Sequence, residues 1–157
     1  MTIGCGITTY NDCHMTICCV ESILNNSNGL VSQIFVLDDG SKKRDHINTL
    51  GVWLRSHNIE LLLHKENQGI PASWSDLAAA LQTDIVTLWN NDIVVVSPHT
   101  FTCLKYFFEN NERIGAVGWN LIQVEPTTGV KGKDQSVQNH EMDVPGKVGA
   151  PVGCSFG

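Results

Sequence analysis

Short apolar runs that alternate with stretches of helical period constrain this chain more than any other feature of its sequence. Residues 3–9 are apolar and β-branched and stop at Tyr10-Asn11-Asp12, which predicts a buried strand entering a polar loop, with Asp12 placed to cap a helix. Over 13–24 the side chains Met15, Cys19, Ile23 and Ile17, Val20, Leu24 recur at helical spacing, and Asn25-Asn26-Ser27-Asn28-Gly29 ends the run. The alternation then repeats. A strand at 34–37 precedes a helix marked by Ile47, Leu50 and Leu54 that ends near His57-Asn58. A strand at 59–64 leads through Lys65-Glu66-Asn67-Gln68-Gly69-Ile70 to a helix opening on Pro71, where the first turn tolerates proline, and running to Leu81. A strand at 85–89 breaks at Asn90-Asn91-Asp92, a helix over 98–109 carries Phe101, Leu104, Lys105 and Phe108 in phase, and 114–119 is predicted as a fifth strand. Such alternation with short loops predicts an α/β domain with a mainly parallel sheet and right-handed crossovers. Past Glu125 the pattern fades: Thr127-Thr128-Gly129 suits a hairpin turn and 130–147 is polar loop.

At 157 residues with 42% hydrophobic and 17% charged side chains, the chain is globular and fits one domain. A net charge of -6 argues against a surface built for nucleic acid. One diphosphate is a different matter, because a metal ion or a few backbone N–H groups can hold it in an acidic protein. The six cysteines include no C-x-x-C pair, so a structural zinc site lacks its spacing, and reduced core-filling thiols are expected. No apolar stretch reaches the ~20 residues that span a bilayer, and the N-terminus enters an apolar run with no basic leader, from which a cytoplasmic location is expected.

In an open α/β sheet, ligands gather beyond the carboxyl ends of the strands. Here those ends deliver Thr8, Thr9, Tyr10 and Asn11, then Asp38 and Asp39, then Asn67 and Gly69, then Asn90, Asn91 and Asp92. Adjacent carboxylates at Asp38-Asp39 can accept hydrogen bonds from a base or ribose, and Gly40-Ser41 permits a sharp turn. Taken alone, the same four residues are a surface turn with Ser41 as a helix N-cap. Asn90-Asn91-Asp92 lies between the apolar runs 85–89 and 93–96, where polar groups need partners. A hard divalent ion, Mg or Mn, bridging Asp92 to a diphosphate would supply one; a plain β-turn between two strands is the other reading.

Four segments in order, Ile7-Thr8-Thr9-Tyr10-Asn11, Val36-Leu37-Asp38-Asp39-Gly40-Ser41, Asn67-Gln68-Gly69 and Leu88-Trp89-Asn90-Asn91-Asp92, resemble family 2 of the inverting glycosyltransferases, over nearly the whole chain. The resemblance implies the GT-A fold, a Rossmann-like three-layer α/β/α domain with a mainly parallel central sheet. It implies a nucleotide pocket formed by Thr8, Tyr10, Asp38, Asp39, Asn67, Gly69, Trp74 and Asn91, with Asp39 on the base or ribose and Asp92 as metal ligand. Asn90-Asn91-Asp92 stands where the family carries Asp-x-Asp and keeps only the last acid. A nucleoside-diphosphate sugar is the implied donor, UDP first with GDP or dTDP as alternatives, and a glycan or other hydroxyl the acceptor.

The family's general base follows a segment similar to Val148-Gly149-Ala150-Pro151-Val152-Gly153-Cys154-Ser155-Phe156-Gly157, so the base is expected beyond Gly157 and the 157 residues are expected to be part of a longer protein. His140, Glu141 and Asp143 are the clustered titratable groups near the end, although solvated loop charge explains them as well. Two rivals belong to other classes. A receiver-type signalling domain wants its acid pair after the first strand, whereas here it follows the second. A sugar-nucleotide-binding remnant without catalysis shares every donor-side residue.

Overall fold

The computed structural model describes residues 1–118. The chain divides into two units, Met1–Arg113 and Ile114–Gly157. Four strands and four helices occupy the first: β1 (Ile3–Thr9), α1 (Cys13–Asn26), β2 (Val31–Asp38), α2 (Arg44–Ser56), β3 (Glu60–Leu63), α3 (Ile70–Ala80), β4 (Ile85–Asn90) and α4 (Thr100–Glu109). Of the second unit, residues 114–118 are described and carry no strand, which corrects the expected fifth one over that span. Two glycines in five residues, Gly115 and Gly118, weaken strand formation there. Trp119, the Thr127-Thr128-Gly129 turn, the loop 130–147 with His140, Glu141 and Asp143, and the segment 148–157 with Cys154 lie outside the described residues.

The sheet is parallel in every pairing, in the order β3-β2-β1-β4. From β1 the chain steps outward through β2 to the β3 edge, then crosses back past β1 to lay down β4. Right-handed crossovers in opposite directions must cover opposite faces. The side chains bear this out. Ile3, Cys5 and Ile7 of β1 and Val36 of β2 pack with Cys19, Val20 and Ile23 of α1, Leu50 and Leu54 of α2, and Phe101 and Leu104 of α4. Side chains alternate along a strand, so Gly4, Gly6 and Thr8 share the other face. There a Cβ on Gly6 would stand 2.9 Å from Cβ of Leu77 on α3, so the missing side chain is what lets the helix lie this close.

Each helix is held to the sheet by a narrow stripe. In α1 buried Thr16, Cys19, Val20 and Ile23 follow i, i+3, i+4, i+7, with buried Ser22 beside them, while Met15 and Leu24, expected in the apolar face, remain 45% and 40% exposed. Asp12 caps this helix as expected, its Oδ1 accepting Met15 N–H at 3.0 Å. Ser41 does not cap α2. The N-cap is Lys43, without a side-chain bond, because Ser41 is drawn back onto Asp38.

Candidate functional site: the carboxyl edge of the sheet

The register brings the expected segments together. Thr9 pairs with Asp38, Thr8 with Asn90, and Asp38 with Leu63, so the polar ends of all four strands emerge along one edge. The crossover direction reverses between β1 and β4, and the crevice at such a reversal is where an α/β sheet receives a ligand. Backbone bonds tighten the row: Asp39 N–H donates to Thr9 O and His64 N–H to Asp38 O, both at 2.9 Å.

Asp38 and Asp39 are both buried, and they face opposite ways. A strand's period of two sends Asp38 to the side of Val36, toward α2, and Asp39 to the side of Leu37, toward α3. Asp38 serves the turn. Its Oδ2 accepts Ser41 N–H at 2.8 Å, and its Oδ1 accepts the Ser41 hydroxyl and faces His46 Nε2 at 3.2 Å. Asp39 gathers the loop that follows β3. Its Oδ1 accepts Gln68 N–H at 2.9 Å and faces His64 Nδ1 at 2.8 Å, while Oδ2 accepts Gly69 N–H at 2.9 Å. Burial opposes the Asp39 charge, but the bonds from Gln68, His64 and Gly69 outweigh it and hold the carboxyl below its ordinary value. A carboxylate has roughly four acceptor positions, so about one, on Oδ2, has no partner among the described residues.

The turn after β4 is sutured to α1. Asn91 Nδ2 donates to Thr16 Oγ1 at 3.2 Å and Thr9 Oγ1 at 3.4 Å, and those two hydroxyls lie 2.6 Å apart. Asn91 thus holds the turn in place with its amide engaged. Asp92, the next residue, is exposed, and its carboxylate makes no hydrogen bond or ion pair among the described residues. Its donor chemistry fits a hard cation. No group of three His, Cys, Asp or Glu side chains that could hold a metal occurs among the described residues. One carboxylate fits the magnesium-like mode, in which waters and substrate phosphates complete the shell.

The remaining expected residues line the same edge. Tyr10 is 41% exposed at the end of β1, and Asn67 is exposed on the loop held by Asp39. Gly69 is the N-cap position of α3. Thr8 Oγ1, Ser73 Oγ and Trp74 Nε1 are buried and have no hydrogen-bond partner among the described residues. Three participants have no role assigned from the sequence: His64 and Asp76, which bond to each other at 2.9 Å, and His46. An acid on a helix resembles solvated charge, and only the register of β3 against β2 reveals that His64 ends up beside Asp39. The opposed directions of Asp38 and Asp39 were readable, since adjacent strand residues never share a face.

A family model described as Glycosyl transferase family 2 matches residues 5–152. The chain belongs to this family. Among solved structures it is similar to glucosyl-3-phosphoglycerate synthase from Mycobacterium tuberculosis in complex with Mn2+, UDP and glucosyl-3-phosphoglycerate: 20% identity, TM-score 0.50, 62% of this chain and 36% of that one covered. It is also similar to S. aureus TarS (residues 1-349), with 14% identity, TM-score 0.60, and 79% and 40% of the two chains covered. These likenesses give the fold, the GT-A α/β domain with its parallel sheet. The matched region spans about two-fifths or less of the length of these structures. No curated protein is similar enough to count as a match. Among the described residues no helix is long and apolar enough to cross a membrane.

Proposed function

We propose that this family 2 chain binds a nucleoside-diphosphate sugar at the carboxyl edge of its sheet and takes part in metal-dependent, inverting transfer of the sugar to an acceptor hydroxyl. The observation that carries the reading is the contrast between the acids. Asp38 and most of the acceptor capacity of Asp39 are spent on shaping the edge, whereas Asp92 stands exposed and, among the described residues, without a hydrogen bond or ion pair, at the point where the crossover direction reverses. The solved synthase with UDP and Mn2+ makes UDP and manganese the first choice, with Mg, GDP and dTDP as the alternatives.

In this reading the nucleotide lies across the end of β1 between Thr8, Tyr10 and the Asn67–Gly69 loop. The open position on Asp39 Oδ2 accepts an N–H of the base or a ribose hydroxyl. Trp74, at the start of α3, forms part of the wall, and its unpartnered Nε1 suits a polar ligand group. Asn91 and Asp38 contribute from behind by fixing the two turns. Asp92 would hold the divalent ion, which neutralises charge building on the leaving diphosphate. An acceptor hydroxyl, its proton taken by a general base, attacks the anomeric carbon from the opposite face as the bond to the nucleoside diphosphate breaks, and inverts that carbon in one displacement.

Calorimetry with UDP and GDP, with and without Mn2+, tests the reading. Metal-dependent binding that Asp92→Ala abolishes while the thermal transition is unchanged supports it; no binding of either nucleotide with metal present rejects it. Hydrolysis of the bound donor separates a working enzyme from a binding module.

A further inference from the structure

His64 stands between two carboxylates. Its Nδ1 lies 2.8 Å from Asp39 Oδ1 and its Nε2 lies 2.9 Å from Asp76 Oδ2. The ring is anchored at the end of β3 by its own backbone bond to Asp38 O, Asp39 comes from the end of β2, and Asp76 comes from the second turn of α3. The imidazole therefore ties together the three elements that surround the Asn67–Gly69 loop. A carboxylate only accepts hydrogen bonds, and a neutral imidazole has a single N–H. Both contacts are satisfied only when the ring is an imidazolium.

We propose that His64 is a positioning residue for the nucleotide site: as an imidazolium bridging Asp39 and Asp76, it holds the Asp39 carboxylate and the first turns of α3 in the arrangement that receives the donor nucleotide. This deepens the reading above and rests on it. Loss of the proton does not free both sides equally. Asp39 is buried and cannot turn away, so the neutral ring keeps its one N–H on Asp39. Asp76 is 59% exposed and swings into solvent, releasing the tie to α3 that carries Trp74. The same step removes a positive charge from an edge whose described acids include Asp38, Asp39, Asp76 and Asp92, which disfavours a diphosphate.

The charged groups acting on the ring are Asp39 from β2 and Asp76 from α3; Lys65 and Glu66, next along the chain, are exposed. The bond to Asp39 comes first, burial opposes it, and the bond to Asp76 adds to it, so the ring holds its proton above its ordinary range. Binding and protonation are then reciprocal: if the charged ring favours the nucleotide, the nucleotide must raise the affinity of the ring for its proton.

The test is calorimetry across a pH series with Mn2+ and UDP-glucose, whose pyrophosphate diester does not titrate near neutrality, on the wild type, His64→Gln and Asp76→Asn. NMR of the imidazole reports the His64 midpoint with and without ligand. The expected result is an affinity that falls about tenfold as His64 deprotonates, a midpoint that moves upward when UDP-glucose binds, and no such step in His64→Gln. Asp76→Asn, a surface change that spares the fold, should move the wild-type step to lower pH. A step of equal size in His64→Gln, or a His64 midpoint indifferent to the ligand and to Asp76→Asn, overturns the proposal while leaving the nucleotide site intact. Absence of nucleotide binding at every pH overturns both.

Discussion

The backbone N–H of Asn11 donates to the hydroxyl of Ser41 at 2.7 Å, and through this bond the loop after β1 is joined to the turn after β2. The joint is doubled by Asn11 Oδ1, which accepts Lys42 N–H at 3.0 Å. Ser41 Oγ also donates to Asp38, so a single hydroxyl accepts from one strand end and donates to another. Ser41→Ala strips a partner from both neighbours at once. The expected loss is about 1–3 kcal/mol of stability, read as a lower urea midpoint at unchanged slope, and Ser41→Thr should recover most of it. Equal midpoints for the alanine variant and the wild type would show that the joint contributes nothing.

Gly40 separates Asp39 from Ser41 with φ at 71°, and a Cβ there would run into the backbone of Glu66 and Asn67. Gly29 has nearly the same φ, 73°, with nothing within 4 Å of a Cβ. The pair separates backbone strain from close approach. Gly29→Ala should cost about 1 kcal/mol from the left-handed conformation alone. Gly40→Ala should cost roughly 3 kcal/mol or more and weaken nucleotide binding, because the Asn67–Gly69 loop must shift. Comparable urea midpoints for the two variants would remove the close approach from the account of the site.

The strands and helices were legible because burial on a sheet or along a helix imposes its period on the sequence. β1 runs from Ile3 to Thr9 as its apolar residues predict, and α4 turns Phe101 and Leu104 inward as spacing predicts. What spacing could not convey is which partner a polar side chain finds. Ser41 has the chemistry of an N-cap, yet the left-handed Gly40 folds it back over Asp38. Asn91 has the look of a ligand contact, yet its amide goes to Thr9 and Thr16. Such choices depend on atoms dozens of residues away. The edge on which the site lies was legible from the strand ends alone; the division of labour along it was not.

Among the described cysteines, Cys5 and Cys19 are buried, Cys18 is exposed, and Cys13 and Cys103 lie between these extremes. Burial pushes the Cys5 thiol up to about 12, against bonds from Thr87 and Trp89, and burial with nearby negative groups does the same to Cys19. A thiolate is the reactive species, so neither should react in the native protein. Cys18, adjacent to Cys19 but on the outer side of α1, is exposed. Titration with a chromogenic disulfide at about pH 8 should modify Cys18 rapidly and leave Cys5 and Cys19 until denaturant is added, with mass mapping to assign the sites. Early labelling of Cys19 would mean that α1 does not cover β1 in solution as it does here.

The clamp of Asp39 and His64 should also give stability a pH window of its own. Asp39 is held below its ordinary value of 3.8 in the folded protein, so its contribution is present above 3.8 and is lost as pH falls through the lower folded value. His64 is held above its ordinary 6.5, so its contribution is complete below 6.5 and is lost as pH rises through the higher folded value. Both act together between those limits, and the alkaline loss belongs to His64 alone. Urea unfolding at about pH 5 and about pH 8 should therefore show a larger gap between wild type and His64→Gln at the lower pH than at the higher. A constant gap means that the ring is held by packing, with its charge contributing nothing to the fold. A gap that widens at the higher pH means that the ring is neutral in the folded state and that its two carboxylate contacts do not form together.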